Sequence, residues 1–263
     1  MINIQTIILT AIEAGKAILE VYHTNFEVSY KEDTSPLTLA DKKAHAIIAN
    51  TLEQTGIPVL SEEGRDIPYK ERKGWEKMWV VDPLDGTKEF VKRNGEFTVN
   101  IALVENGIPI LGVVYAPILD KLYVGDAKLG AYKIEKASSV TDFTGKFKQV
   151  NKLPNEALEK KPIFRVVASR SHLNKETSEF IDNLKKVHSN IEIVTIGSSL
   201  KLCMIAEGEA DIYPRFAPTM EWDTAAGDAV VRASGGKVKI ANTKNDLQYN
   251  KQNLLNPWFI VSR

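Results

Sequence analysis

Apolar residues recur at helical spacing over Ile4–Tyr22, interrupted by Glu13, Lys16 and Glu20, and a second amphipathic pattern covers residues 39–52. Both predict helices. The short apolar run Ile57-Pro58-Val59-Leu60 ends in Ser61-Glu62-Glu63-Gly64, and Trp79-Val80-Val81 reads as a buried strand that stops at Asp82. Over residues 96–125, β-branched and apolar residues alternate on either side of Asn106-Gly107, the signature of an antiparallel meander. The first part of the chain is therefore expected to be α+β.

Residues 136–161 are rich in Lys, Ser, Asn and Pro and carry little periodicity, which predicts a crossover between two halves. The expected division is 1–145, carrying the main acidic motifs, and 146–263. From Phe164 onward the pattern alternates: strand 164–169, helix 173–187, strand 191–196, helix 199–208, strand 211–215 and helix 224–235. That βα order predicts a second layered sheet.

Composition narrows the function classes. At 263 residues and 43% hydrophobic content the chain can bury a large core. Lys+Arg and Asp+Glu are each 34, so no summed charge favours wholesale binding to nucleic acid or to an anionic membrane. The first helix lacks a basic n-region and is broken by charges, so it reads as an amphipathic helix rather than a signal peptide or a span, and a cytoplasmic location is expected. The single cysteine, Cys203, lies in the apolar stretch SLKLCMIAEG and is expected to pack as a small hydrophobe.

The candidate chemistry sits in carboxylates at element ends. In Asp82-Pro83-Leu84-Asp85-Gly86-Thr87 the proline fixes a backbone angle, so both aspartates can leave the strand end toward one point. Close carboxylates repel and call for a cation; Lys88 and Arg93 are basic residues in that window. Oxygen ligands select magnesium, manganese or calcium over zinc, for which the sequence has no His/Cys cluster at ligand spacing. An Asp-Gly turn with an incidental Asp-Pro is the alternative. Glu62, at the end of IPVL, and Asp223, in Glu221-Trp222-Asp223, are further acids at element edges, although Asp223 also suits a helix N-cap. Together these segments match a site for two or more magnesium ions about 3.5–4 Å apart.

These strings carry a resemblance. Glu62-Glu63, Asp82-Pro-Leu-Asp85-Gly86-Thr87 and Trp222-Asp223-Thr-Ala-Ala-Gly227 resemble the signature of the lithium-sensitive, magnesium-dependent inositol monophosphatase superfamily along nearly the whole chain. Lys88-Glu89-Phe90, residues 95–103 (GEFTVNIAL) and residues 168–172 (ASRSH) are similar to its bacterial CysQ branch, the 3'(2'),5'-bisphosphate nucleotidases. The resemblance implies a layered α/β/α/β/α sandwich and a phosphatase acting on the 3'-phosphate of adenosine 3',5'-bisphosphate, with 3'-phosphoadenylyl sulfate as a further substrate, which in the family clears a by-product of sulfate activation. An inositol or sugar monophosphatase, and a non-catalytic phosphate- or metal-binding regulator, are the alternatives.

Residue by residue, the resemblance implies two or three magnesium ions on Glu62, Asp82, the Leu84 carbonyl, Asp85 and Asp223, with Glu63 left out. It also implies that Asp41 pairs with Thr87 to take a proton from the attacking water. On sequence alone Asp41 would pass for a first-turn helix acid. Gly86 and Thr87 would present backbone N–H groups to the phosphate, and Glu62, Leu84, Asp85 and Asp223 would face it as well. Ser171 and His172, in the loop after strand 164–169, and Gly197, Ser198 and Lys201, at the start of helix 199–208, are expected to hold the second phosphate and the base edge. Arg215 is either a further cation there or solvated. Ser171-His172 also resembles a nucleophilic pair, but no G-x-S-x-G elbow accompanies it. His23, His45 and His188 are expected to be surface or satisfied core residues. Asp228 stands where the branch commonly has histidine and adds an acid of open role. A homodimer and contact with the cytoplasmic face of a membrane are compatible with the family, and no anchor is visible.

Overall fold

The computed structural model describes residues 3–30, 36–143, 150–155, 163–168 and 174–263. Helix α1, Ile4–Tyr22, starts with the Asn3 side chain accepting from Gln5 N at 3.0 Å. Its apolar stripe, including Ile8, Ala11, Ile18 and Tyr22, is buried, as the 3.6-residue period predicts. Gly15 lets this helix press onto the sheet beneath it, because a Cβ there would lie 2.4 Å from the Tyr115 ring. The paired strands β1, Val28–Tyr30, and β2, Pro36–Thr38, lead into α2, Leu39–Glu53. Thr38 and Asp41 form a reciprocal capping box that fixes where α2 begins.

The central layer is a seven-stranded sheet: β3 Val59–Ser61, β4 Lys77–Asp85, β5 Thr98–Glu105, β6 Ile108–Ala116, β7 Lys121–Asp126, β8 Gly130–Glu135 and β9 Asn151–Leu153, in that spatial order. β3 pairs parallel with β4 and every later pair is antiparallel. Asn106 and Gly107 both have positive φ at the β5–β6 turn, as the Asn-Gly signal predicts. Two short helices flank β4: α3, Tyr69–Arg72, and α4, Thr87–Val91. Strand β9 lies in the stretch read as a crossover and beyond residue 145, so this sheet draws its last strand from past the expected boundary.

The second sheet has the order β11-β10-β12-β14-β13, with β10 Phe164–Ala168, β11 Ile191–Thr195, β12 Ile212–Arg215, β13 Lys237–Ile240 and β14 Phe259–Ser262. The first three are parallel, as the βα alternation predicts, and β13 and β14 add an antiparallel edge that the periodicity does not signal. Helix α5, Lys175–Lys185, packs on β12, while α6, Leu200–Glu207, and α7, Ala225–Ala233, fill the space between the two sheets. The result is the α/β/α/β/α sandwich. One apolar core joins α1 and α2 to the seven-stranded sheet, and a second joins that sheet's other face to α6, α7 and the five-stranded sheet. Glycines set the depth of α7: a Cβ at Gly112 would lie 2.2 Å from the Ala226 carbonyl oxygen, and one at Gly125 would lie 2.4 Å from Val230 Cα. Cys203 is buried in the second core, as expected. Among the described residues no helix is long and apolar enough to cross a membrane.

Candidate active site

In a regular strand Asp82 and Asp85, three residues apart, would point to opposite faces. Here Asp82 pairs with Asn100 and Asp85 with Thr98, so β4 carries one more residue than β5 between the same two rungs. This bulge, built around Pro83, turns both aspartates toward the end of the sheet. β3 ends beside it and delivers Glu62, whose N–H donates to the Val81 carbonyl at 3.1 Å. From the other half, the turn into α7 supplies Asp223, with Oδ2 accepting from Met220 N at 2.9 Å. Carboxylate oxygens of Glu62, Asp82 and Asp223 all lie within 4.8 Å of one another.

These acids are under electrostatic stress. Burial pushes Asp82 well above the ordinary carboxylate range, and the charges that act on it most strongly, Glu62, Asp85, Asp223 and Asp41, are all negative. Burial, then the charge of Asp85, lifts Asp223 to about 8. Neither Lys88 nor Arg93 relieves them. Arg93 donates to the Tyr22 and Thr24 carbonyls at the end of α1 and lies over the Tyr22 and Phe26 rings, and Lys88 is exposed. Hard oxygen donors and mutual repulsion, which outweighs the opposing charge of Arg215 on Asp223, fit a divalent metal ion. Glu63 is outside this trio. Glu221 is buried on Lys251 Nζ, 2.6 Å away, and on the N–H groups of Asn250 and Lys251.

Asp41 serves two elements. Its Oδ2 accepts from Thr38 N at 2.7 Å and Thr38 Oγ1 at 2.6 Å, and its Oδ1 faces Thr87 Oγ1 at 3.4 Å. Thr87 Oγ1 also lies 3.3 Å from the Leu84 carbonyl oxygen. Burial raises the Asp41 pKa while the Thr38 bonds oppose the rise. Gly86, at φ +92, opens α4; a side chain there would meet the Glu96 carbonyl oxygen at 3.2 Å and strain the backbone.

Asp85, Gly86 and Asp223 line one wall of a cavity of about 220 Å³ whose other walls include Ile196, Gly197, Lys201, Tyr213 and Arg215. Lys201 is half-buried there with Nζ 3.3 Å from the Ile196 carbonyl oxygen, and desolvation lowers its pKa to about 8. Arg215 donates through Nη2 to the Pro218 carbonyl at 2.8 Å, and its buried Nε has no hydrogen-bond partner among the described residues, which is not the setting of a solvated arginine. Gly197 N donates to Glu96 Oε2 at 2.7 Å. The Ser198 hydroxyl lies 2.8 Å from Asp85 Oδ2, so it holds a carboxylate where a phosphate contact was expected. Ser171 and His172 lie outside the described residues.

Asp228, the acid of open role, is fully buried and turned away from this cavity. It accepts from Arg232 Nε at 2.6 Å and Tyr249 OH at 2.9 Å, a structural pair within α7. His45 Nδ1 is 3.0 Å from Ser61 Oγ, His188 stacks on Phe164 at 3.8 Å, and His23 ends α1. Sequence reading missed Thr98 and Asn100, which bind the Asp85 region from β5. The available signal was two polar residues inside the otherwise apolar run TVNIALV.

Residues 3–258 match the Inositol monophosphatase family, and the chain belongs to it. The family is metal-dependent, and the acidic cluster provides a place for a cation. The chain is 46% identical over 255 residues to the 3'(2'),5'-bisphosphate nucleotidase CysQ of Escherichia coli strain K12, covering 95% of each sequence. It is 31% identical to the enzyme of the same name from Haemophilus influenzae, over 97% of this chain and 90% of that one. Among solved structures, CysQ from Bacteroides thetaiotaomicron superposes with a TM-score of 0.88 at 49% identity, covering 98% of this chain and 97% of that one. The SuhB protein of Bartonella henselae superposes at 0.76 and 26% identity, covering 99% and 93%.

Proposed function

We propose that this chain is a magnesium-dependent 3'(2'),5'-bisphosphate nucleotidase that hydrolyses the 3'-phosphate of adenosine 3',5'-bisphosphate to AMP and phosphate. The observation that carries this reading is the apposition, in one cavity, of the carboxylates Asp85 and Asp223 with Lys201 and Arg215. An anionic substrate with two phosphates needs both: a metal-charged pole for the group that is cleaved and a cationic pole for the group that is kept.

Glu62, Asp82, Asp85, Asp223 and the Leu84 carbonyl would hold the metal, taken here as two or three magnesium ions. When bound, magnesium supplies positive charge to the phosphoryl oxygens and lowers the pKa of water in the site. Thr87 and Asp41 handle the proton: the hydroxyl accepts it from the attacking water and passes its own to Asp41 Oδ1. Asp41 keeps that oxygen available because Thr38 occupies the other. Gly86 and Thr87 offer backbone N–H groups to the phosphate that is cleaved. Lys201, Arg215 and Gly197 line the end taken up by the second phosphate, and the family resemblance alone gives Ser171 and His172 a part in binding it. Phosphate release from a panel of nucleotide bisphosphates, nucleoside monophosphates and inositol monophosphate tests the reading. Preference for 3',5'-bisphosphates supports it, and equal or better turnover of inositol monophosphate would replace it with a general monophosphatase.

A further inference from the structure

Asp85 is held by the opposite half of the molecule. Ser199 Oγ lies 2.9 Å from Asp85 Oδ2 and 2.9 Å from the backbone oxygen of Asp223, and it accepts from Asn100 Nδ2 at 2.8 Å. Ser198 Oγ lies 2.8 Å from the same Oδ2. Two hydroxyls from one turn, 113 and 114 positions along the chain, therefore converge on a single carboxylate oxygen. Among the described residues Oδ1 accepts no hydrogen bond. Ser199 and Asn100 are each 1% exposed, so water does not compete for these contacts.

The turn is shaped to do this. Ser198 sits at φ +56, a conformation that side chains other than glycine avoid because Cβ crowds the carbonyl. Gly197 must be glycine, since a Cβ would lie 2.8 Å from the Glu96 carbonyl oxygen. Thr98 Oγ1, 2.5 Å from Ser198 Oγ, braces the turn from β5. Ser199 has one proton to give, and the charged carboxylate is a stronger acceptor than the Asp223 carbonyl.

We propose that Ser199, supported by Ser198, is a positioning residue for metal binding: by occupying Oδ2 it makes Oδ1 the ligating oxygen of Asp85 and pins that ligand to the segment carrying Asp223. The inference rests on the reading of Asp85 and Asp223 as metal ligands. It gives the Gly197-Ser198-Ser199 turn a role on the metal side of the cavity, one helical step before Lys201 reaches the substrate side. Without the Ser199 hydroxyl the carboxylate loses its tie to the Asp223 segment and is held only by Ser198 and, at 3.5 Å, by Asn100; outer contacts of this kind are typically worth about 10–100-fold in metal affinity.

The test is manganese binding to the substrate-free protein, followed through the electron paramagnetic resonance of free Mn²⁺, for wild type, Ser199→Ala, Asp85→Asn and the double variant. The expected result is a loss of about 10–100-fold in affinity for Ser199→Ala, with the double variant no weaker than Asp85→Asn alone, because the serine acts through that carboxylate. Wild-type affinity in Ser199→Ala, or multiplicative losses in the double variant, would overturn the proposal; the second outcome would mean a general packing role. Circular dichroism reports whether Ser199→Ala folds, and if it does not, Ser198→Ala, which removes the second donor to the same oxygen, carries the same cycle. A wild-type protein that binds no manganese would defeat the metal reading itself, whereas wild-type binding beside an indifferent serine variant defeats only this role.

Discussion

Thr87 Oγ1 stands 3.4 Å from Asp41 Oδ1, while the other oxygen of Asp41 is locked by two bonds from Thr38. The same carboxylate thus closes the capping box of α2 and faces the end of β4. Fixing one oxygen in the N-cap orients the second without any further group.

That division of labour separates stability from catalysis. Thr87→Val removes the proton relay and leaves the cap intact, so kcat should fall about a hundredfold or more, as loss of general base catalysis typically does, with the melting temperature nearly unchanged. Thr38→Ala should lower stability by about 0.5–2 kcal/mol through loss of the cap and affect kcat less. Steady-state kinetics and thermal melts of the two variants check the pair; equal effects on both quantities would mean that the relay is not where we place it.

The acids of the cluster should couple metal binding to protons. Asp223 is raised to about 8 and Asp82 is also raised well above its unfolded value, so both favour the protonated form more strongly in the metal-free folded protein than in the unfolded chain. Their contribution to stability is complete below the unfolded pKa of about 4 and is lost as pH rises through the folded values. In chelator, the melting temperature should therefore drop between pH 5 and pH 8, and saturating magnesium should shrink the drop by compensating the ionised carboxylates. Superimposable pH profiles with and without magnesium would contradict this.

Lys201→Ala should separate binding from chemistry. Loss of a charge-assisted contact made in both ground and transition states is worth about 1.5–3 kcal/mol, so KM for adenosine 3',5'-bisphosphate should rise tenfold or more with kcat much less affected. Because the amine titrates near 8, KM of the wild type should also climb above that pH, and the climb should vanish in the variant. Slow turnover of inositol monophosphate, which has no second phosphate, should barely change.

Much of this was readable from the sequence because local signals and tertiary needs agree. The α1 stripe, the Asn106-Gly107 turn and the acids at element ends are local patterns; the structure forms the first two as expected and brings Glu62, Asp82 and Asp223 together. What escaped lies in three- and four-residue strands such as β9, β13 and β14, too short to show a period, and in contacts across distant segments such as Asp85 with Ser199. Asp228 shows the limit well. Arg232 stands four residues on, so an ion pair along one helix face was visible in the sequence, but only the packed orientation of α7 says that the face turns toward Tyr249 rather than the acidic cluster.

The seating of α7 should be sensitive to single atoms. Gly112→Ala places a methyl group 2.2 Å from the Ala226 carbonyl oxygen, closer than any relaxed contact, so stability should fall by about 1–3 kcal/mol and Asp223, just before that helix, should shift. Denaturant melts together with metal titration check both. A variant as stable as wild type, with unchanged metal affinity, would show that the helix seat is slack.

Turnover of adenosine 3',5'-bisphosphate before and after metal removal tests the central claim most directly. With magnesium the wild type should release one phosphate and leave AMP as product; in excess chelator turnover should collapse, and added magnesium should restore it while lithium inhibits. Undiminished turnover in chelator would contradict the account, because the clustered carboxylates would then have no metal to hold.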